Sequence, residues 1–154
     1  VELVERRRDE GFTLIELMMV IAIIGILATA LIPQFGEFKT SAKITGVETN
    51  IRSVVITISG MPSKDDIEYS LEKIMDTMRN PITNETGVGT GTPSRTQTKA
   101  IYVFDTENDA SDYETNSRYN GAVMVYDHND FSADVFACDE QGRIIDSLSA
   151  VVER

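Results

Sequence analysis

Residues 11–35 read GFTLIELMMVIAIIGILATALIPQF, and how this stretch is read decides the fold. From Phe12 to Ile32 it carries one charged residue, Glu16. At about 1.5 Å per helical residue such a run spans roughly 31 Å, the thickness of a bilayer's hydrocarbon. Arg6, Arg7 and Arg8 lie on its N-terminal side. Positive charges next to a spanning helix keep that side in the cytoplasm, and nearby acids count little in this rule. The remainder of the chain is then expected across the membrane.

Downstream, apolar residues keep a helical spacing. Phe35, Phe38, Ala42, Ile44, Val47, Ile51, Val55 and Ile58 recur mostly at steps of three and four, with Lys39, Lys43, Glu48 and Arg52 between them. The pattern predicts an amphipathic helix with one stripe on a core. Pro33 is expected to kink or loosen it, and Ser59, Gly60 and Pro62 to end it. A second helix is predicted over 64–79, capped by Ser63 and Asp66, with Ile67, Leu71, Ile74, Met75 and Met78 on one face and Asn80-Pro81 as the stop. Residues 81–99, rich in Thr and Gly, read as an exposed loop.

The period then changes to two. AIYVF (100–104), AVMVY (122–126), FSADVFA (131–137) and RIIDSL (143–148) read as strands. DHND and DEQG supply turns, so the last three strands are expected to form an antiparallel meander. In the simplest register Ala122, Met124 and Tyr126 share a face with Phe131, Ala133 and Val135, and that face is expected on the long helix. The fold class is α+β: a long N-terminal helix packed on a C-terminal antiparallel sheet.

Charge narrows the function. The 154 residues carry a formal net charge of −11. Phosphate neutralisation requires Lys and Arg, so direct nucleic acid binding is not expected. Between 101 and 140 ten acids face one base, Arg118. A solvated surface accounts for them; a calcium ion on the 105–114 loop is the sharper alternative, although Ala110 and Asn116 break the EF-hand pattern. No other metal and no cofactor is expected. One His and one Cys give little for catalysis: His128 falls at a turn tip, and Cys138 lies far along the strand, so Cys138 reads as a small strand residue and the chain as no enzyme. GVGTGT (87–92) lacks the Lys-Ser/Thr of a phosphate loop and follows no strand, so it reads as flexible. Asn84-Glu85-Thr86 fits a glycosylation sequon, a frequent pattern.

The order of charged leader, Gly11, Phe12, Thr-Leu-Ile-Glu and apolar helix, followed by Pro33-Gln34-Phe35, closely resembles the class III signal and N-terminal helix of bacterial type IV pilins and type II secretion pseudopilins. The likeness is close over 6–35; beyond about residue 60 it is only architectural. The resemblance implies a leader (1–11), a transmembrane and filament-core half-helix (12–33) and a pilin-like head (34–154). It implies cleavage between Gly11 and Phe12 by a prepilin peptidase, N-methylation of Phe12, and extraction by an assembly platform into a homopolymer. Glu16 would pair with the Phe12 amine of a neighbouring copy. Gly25 and Pro33 would mark where the helix loses regular structure in the filament. The precursor would cross the inner membrane once, with its N-terminus cytoplasmic; the mature chain would form an extracellular pilus or a periplasmic pseudopilus.

Two plainer readings stand beside this. Thr13 to Glu16 is itself a capping-box sequence, which explains Glu16 without a partner. Alternatively Arg6–Arg8, Leu17–Leu27 and Ala28-Thr29-Ala30 form an ordinary secretory signal, and cleavage after Ala30 frees a soluble domain. The head lacks the Tyr-Pro-Thr-Thr-like and Asp-Pro-Trp-Gly-like segments of the major secretion pseudopilin, which favours a pilus. It also lacks the C-terminal cysteine pair of many pilins.

Overall fold

The computed structural model describes residues 11–105, 117–129 and 131–154. Residues 1–10 of the leader and most of the proposed calcium loop lie outside them. Helix α1 spans Leu14–Ser59 and helix α2 spans Ile67–Ile74. Five strands follow: β1 (Val88–Gly89), β2 (Ile101–Asp105), β3 (Val123–Asp127), β4 (Ser132–Ala137) and β5 (Ala150–Glu153). The chain divides into two compact units, one up to Lys39 and one from Thr40 to Arg154.

The first unit is helix without a core. Every residue from 11 to 42 is exposed, including Phe12, Ile15, Ile26, Phe35 and Phe38. Helix runs continuously through Gly25 and Pro33. Proline removes one N–H from the ladder, and the turns on either side retain theirs.

The second unit is built on one face of the sheet. Val47, Ile51, Val54 and Ile58 of α1 are buried at spacings of four, three and four, with Ile67 and Leu71 of α2 beside them. They meet Ile101, Val123, Val125, Ala133, Val135, Ala137 and Val152. The stripe runs through Val54 rather than Val55, which is only partly buried, and Ile44 is exposed. Gly46 lets the segment after α2 come close: a Cβ there would lie 2.8 Å from Pro81 Cγ.

Three sequence expectations need correction. The sheet order is β1-β2-β3-β4-β5, but β1 pairs with β2, and β2 with β3, in parallel; only β3-β4-β5 is antiparallel. A parallel pair needs a connection of a dozen or so residues, and the sequence leaves about that many or more between β1 and β2 and between β2 and β3. The helix-facing side of β3 is also reversed, while Ala133 and Val135 of β4 face the helix as expected. Val125 pairs with Val135 and Tyr126 with Asp134, so Ala122, Met124 and Tyr126 join Tyr102, Phe104 and Tyr119 in a second cluster on the opposite face. The β3–β4 turn is looser than the simple hairpin assumed, with Asn129 and Phe131 at positive φ, and an odd shift in register inverts every side chain. Finally, 143–148 is not a strand. Ile144 makes one bridge to Cys138, Asp146–Leu148 coil into a 3-10 turn, and β5 starts only at Ala150. Asp146 and Ser147 favour such local turns over a ladder.

Two smaller differences concern α2 and the loop after it. α2 is shorter than 64–79. Asp66 is its N-cap, accepting from Tyr69 N at 2.8 Å, and Met75 ends it. Residues 81–99 are not a free loop. Val88 and Gly89 form β1, and Thr98 is fully buried. Asn80, also buried, holds the segment: its Nδ2 donates to the carbonyls of Thr98, Lys99 and Asn120, and its Oδ1 accepts from Ile82 and Thr83 N–H.

Candidate functional site

The site residues drawn from the sequence lie in the first unit. Thr13 precedes α1 and Glu16 is the third residue of its first turn. Thr13 N–H donates to Glu16 Oε2 at 2.9 Å, and Glu16 N–H donates to Thr13 Oγ1 at 3.3 Å. This is a reciprocal capping box, and it satisfies two backbone donors that helix geometry leaves without a partner. The plainer reading of Glu16 is therefore realised. It does not exhaust the group, because a carboxylate offers about four lone-pair sites. Gly11 and Phe12 precede the cap, and Phe12 is 87% exposed. A Cβ at Gly11 or at Gly25 would meet nothing within 4 Å.

What surrounds this cap is apolar and unburied. α1 is long and apolar enough to cross a membrane by length and composition, and none of its most apolar stretch is buried within the chain. At about 25 cal/mol per Å² of apolar surface, such a segment strongly favours lipid or other helices over water.

In the second unit, the lone thiol is not set up for chemistry. Cys138 is fully buried, its Sγ 3.3 Å from Met124 Sδ, and burial pushes the thiol up to about 12. A nucleophile needs the thiolate. His128 pairs instead with Asp134, Nε2 to Oδ2 at 2.9 Å. Sequence reading did not anticipate this pair; the β3–β4 register that creates it depends on a turn with non-glycine residues at positive φ.

Comparison with known proteins places the first unit. Residues 6–32 match the model of the prokaryotic N-terminal methylation motif. That N-terminal helix is therefore of the kind shared by bacterial type IV pilins and type II secretion pseudopilins. Among relatives, the type IV major pilin protein PilA of Myxococcus xanthus is 44% identical over 59 residues, covering 38% of this chain and 27% of that protein. The type II secretion system core protein G of Pseudomonas aeruginosa is 37% identical over 65 residues, 42% of this chain and 45% of that one. The prepilin peptidase-dependent protein A of Clostridium perfringens is 31% identical over 88 residues, 57% of this chain and 63% of that one. The matched region spans less than half the length of the first two of these relatives. No solved structure matches.

Proposed function

We propose that this chain is the precursor of a structural subunit of a type IV pilus-like filament. Its N-terminal helix anchors it in the inner membrane, with the leader (1–11) on the cytoplasmic side. A prepilin peptidase cuts between Gly11 and Phe12, and the new Phe12 amine is methylated. An assembly platform then moves residues 12–33 from lipid into contact with the same segment of other copies, leaving the head (34–154) outside the membrane. The observation that carries this reading is an apolar helix exposed on all sides and closed at its N-terminal end by a capped carboxylate. A water-exposed monomer has no use for such a surface; lipid and then a helical bundle both cover it. In the bundle, Glu16 accepts from a neighbour's Phe12 ammonium with the lone pairs its own cap leaves over.

A secretion pseudopilus is the second reading, favoured by the similarity to core protein G. Both share the processing step. The N-terminal sequence and mass of the mature chain test that step: N-methylated Phe12 as first residue is expected. A chain beginning at Leu31 would overturn the reading in favour of a soluble domain released after Ala30.

A further inference from the structure

We propose that Asn84 is an acceptor for an N-linked saccharide, attached on the far side of the membrane; this rests on the topology of the filament reading above, which puts the head outside the cytoplasm. Residues 84–86 read Asn-Glu-Thr, the one Asn-x-Ser/Thr triplet in the chain. The triplet by itself is a common pattern. What distinguishes this one is where it sits and which of its groups the fold leaves unused.

The turn around it is held by backbone. Arg79 and Thr86 form an antiparallel bridge, flanked by Asn80 N–H donating to the Glu85 carbonyl at 2.8 Å and Gly87 N–H donating to that of Met78 at 2.9 Å. At the tip, Asn84 N–H donates to the Asn80 carbonyl at 2.9 Å, and the Asn84 carbonyl accepts from Arg79 Nη1 at 3.0 Å. Both main-chain groups of Asn84 are therefore engaged, while its side-chain amide makes no hydrogen bond among the described residues. Asn84 and Glu85 are exposed and Thr86 is half-buried. The Thr86 hydroxyl also makes no bond among the described residues, and it is not sealed from solvent. Its neighbours behave differently: Asn80, Thr83 and Thr98 all commit their side chains to internal bonds. Asn84 has φ +69°, which asparagine tolerates better than most residues, so the turn alone gives a reason for Asn84. It gives none for the hydroxyl, because a β-branched residue suits the bridge with or without one.

The donor is a lipid-linked saccharide diphosphate and the catalyst a membrane transferase. Asn84 Nδ2 attacks the anomeric carbon of the saccharide. A C–N bond forms there, the C–O bond to the diphosphate breaks, and the lipid diphosphate leaves. The amide proton passes to a carboxylate of the transferase, and nothing is oxidised or reduced. Thr86 supplies the hydroxyl by which the transferase recognises the acceptor. A precursor held by its helix in the same membrane presents the head to such an enzyme as the chain emerges. After folding, a saccharide on Asn84 projects from an exposed tip, and no internal hydrogen bond is broken to place it there.

The test uses the full chain isolated from the cells that make it, digested with trypsin and sequenced by mass spectrometry. Cleavage after Arg79 and Arg95 releases residues 80–95 as one peptide. That peptide should carry a saccharide mass, and fragmentation should place it on Asn84. Asn84→Asp keeps a residue that tolerates positive φ and should lose the mass. Thr86→Ala should lose it as well, while Thr86→Ser should keep it; a role confined to the turn would not separate Ala from Ser. A bare Asn84 in the wild-type chain would overturn the proposal. So would a saccharide on Thr90, Thr92 or Ser94 in place of Asn84, or a Thr86→Ala chain still modified at Asn84. The N-terminal peptide of the same digest keeps this result apart from the filament reading. N-methylated Phe12 beside a bare Asn84 leaves that reading standing, and a chain beginning at Leu31 overturns it whatever Asn84 carries.

Discussion

At the residue scale, Glu16 forms one cap and is proposed for a second, separate role. The cap to Thr13 is intramolecular and already formed. The pairing proposed with a neighbour's amine uses different lone pairs. Glu16→Leu removes both, whereas Glu16→Gln keeps a side-chain oxygen for the cap and loses the charge. Membrane insertion depends on hydrophobic length and flanking arginines, so both variants should insert and be cleaved. Both should assemble poorly, and the Gln variant should retain the helix start. Pulse-labelling for processing, set against sheared filament yield, reads the two roles separately. Normal yield from Glu16→Gln would reject the inter-copy pairing. A second residue-scale effect concerns Asp139. Burial opposes its charge, but N–H groups of Arg143 and Gln141 and the Arg143 guanidinium outweigh that and hold the carboxyl below its ordinary value of 3.8. A carboxyl with a depressed folded value contributes stability above its unfolded value and loses it as pH falls through the folded one. The head should therefore melt lower as pH drops below about 4. Asp139→Asn should melt lower at neutral pH and show a shallower acid decline; an unchanged acid limb would assign that decline to other carboxylates.

At the scale of elements, the segment from Asn80 to Lys99 shows what sequence patterns reach and what they miss. Its composition reads as loop, yet one buried amide ties it to three carbonyls and two N–H groups. Asn80→Ala would leave the Asn120 carbonyl and the Ile82 and Thr83 N–H groups without this partner, while the Thr98 carbonyl keeps the Thr83 hydroxyl. Unsatisfied buried groups cost about 1–3 kcal/mol each, partly relieved by rearrangement. A net loss on the order of 3 kcal/mol is expected in urea unfolding of the head. A loss below about 0.5 kcal/mol would mean water replaces the amide. No periodicity announces such a hub, because its three carbonyl partners lie 18 to 40 residues away. What was legible was local: the apolar run, the later part of the α1 stripe (Val47, Ile51 and Ile58), the Thr13–Glu16 cap and the cores of β2, β3 and β4 follow from period and capping chemistry. What was not legible was relational. Parallel pairing of β2 with β3, the face of the sheet turned to α1, and the late start of β5 all depend on crossover paths and on a turn with Asn129 and Phe131 at positive φ. Either kind of residue on β3 is apolar, so alternation alone could not say which side meets the helix.

For the whole molecule, the opposing influences are an apolar helix that favours association and a strongly acidic head that resists it. The first eleven residues carry four acids and three bases, a net −1, so removing them leaves −10 of the total −11 on each processed copy. In the proposed filament, copies would hold these charges in a regular array, where like charges repel over the Debye length. That length is about 30 Å at 0.01 M salt and about 8 Å at 0.15 M. Salt acts in the opposite sense on a close attractive pair such as the one proposed between Glu16 and a neighbour's amine. Glu16 would sit among apolar helices, where ions have little access. Screening should thus relieve the long-range repulsion between heads more than it weakens the contacts that join copies. Filaments should dissociate at a higher temperature, or a higher detergent concentration, as salt rises from about 0.01 to 0.15 M, and then change little, because by then the Debye length is short against the spacing of whole heads. Lys43 paired with Glu140 at 2.7 Å lies within a copy, so its screening alters head stability and not the junction. Light scattering during a thermal ramp at several salt concentrations, beside the melting of the head alone, separates the two effects. Dissociation temperatures that fall steadily with salt would show that exposed ion pairs hold the copies together, and that the acidic surface is matched across the junction and not repelled by it.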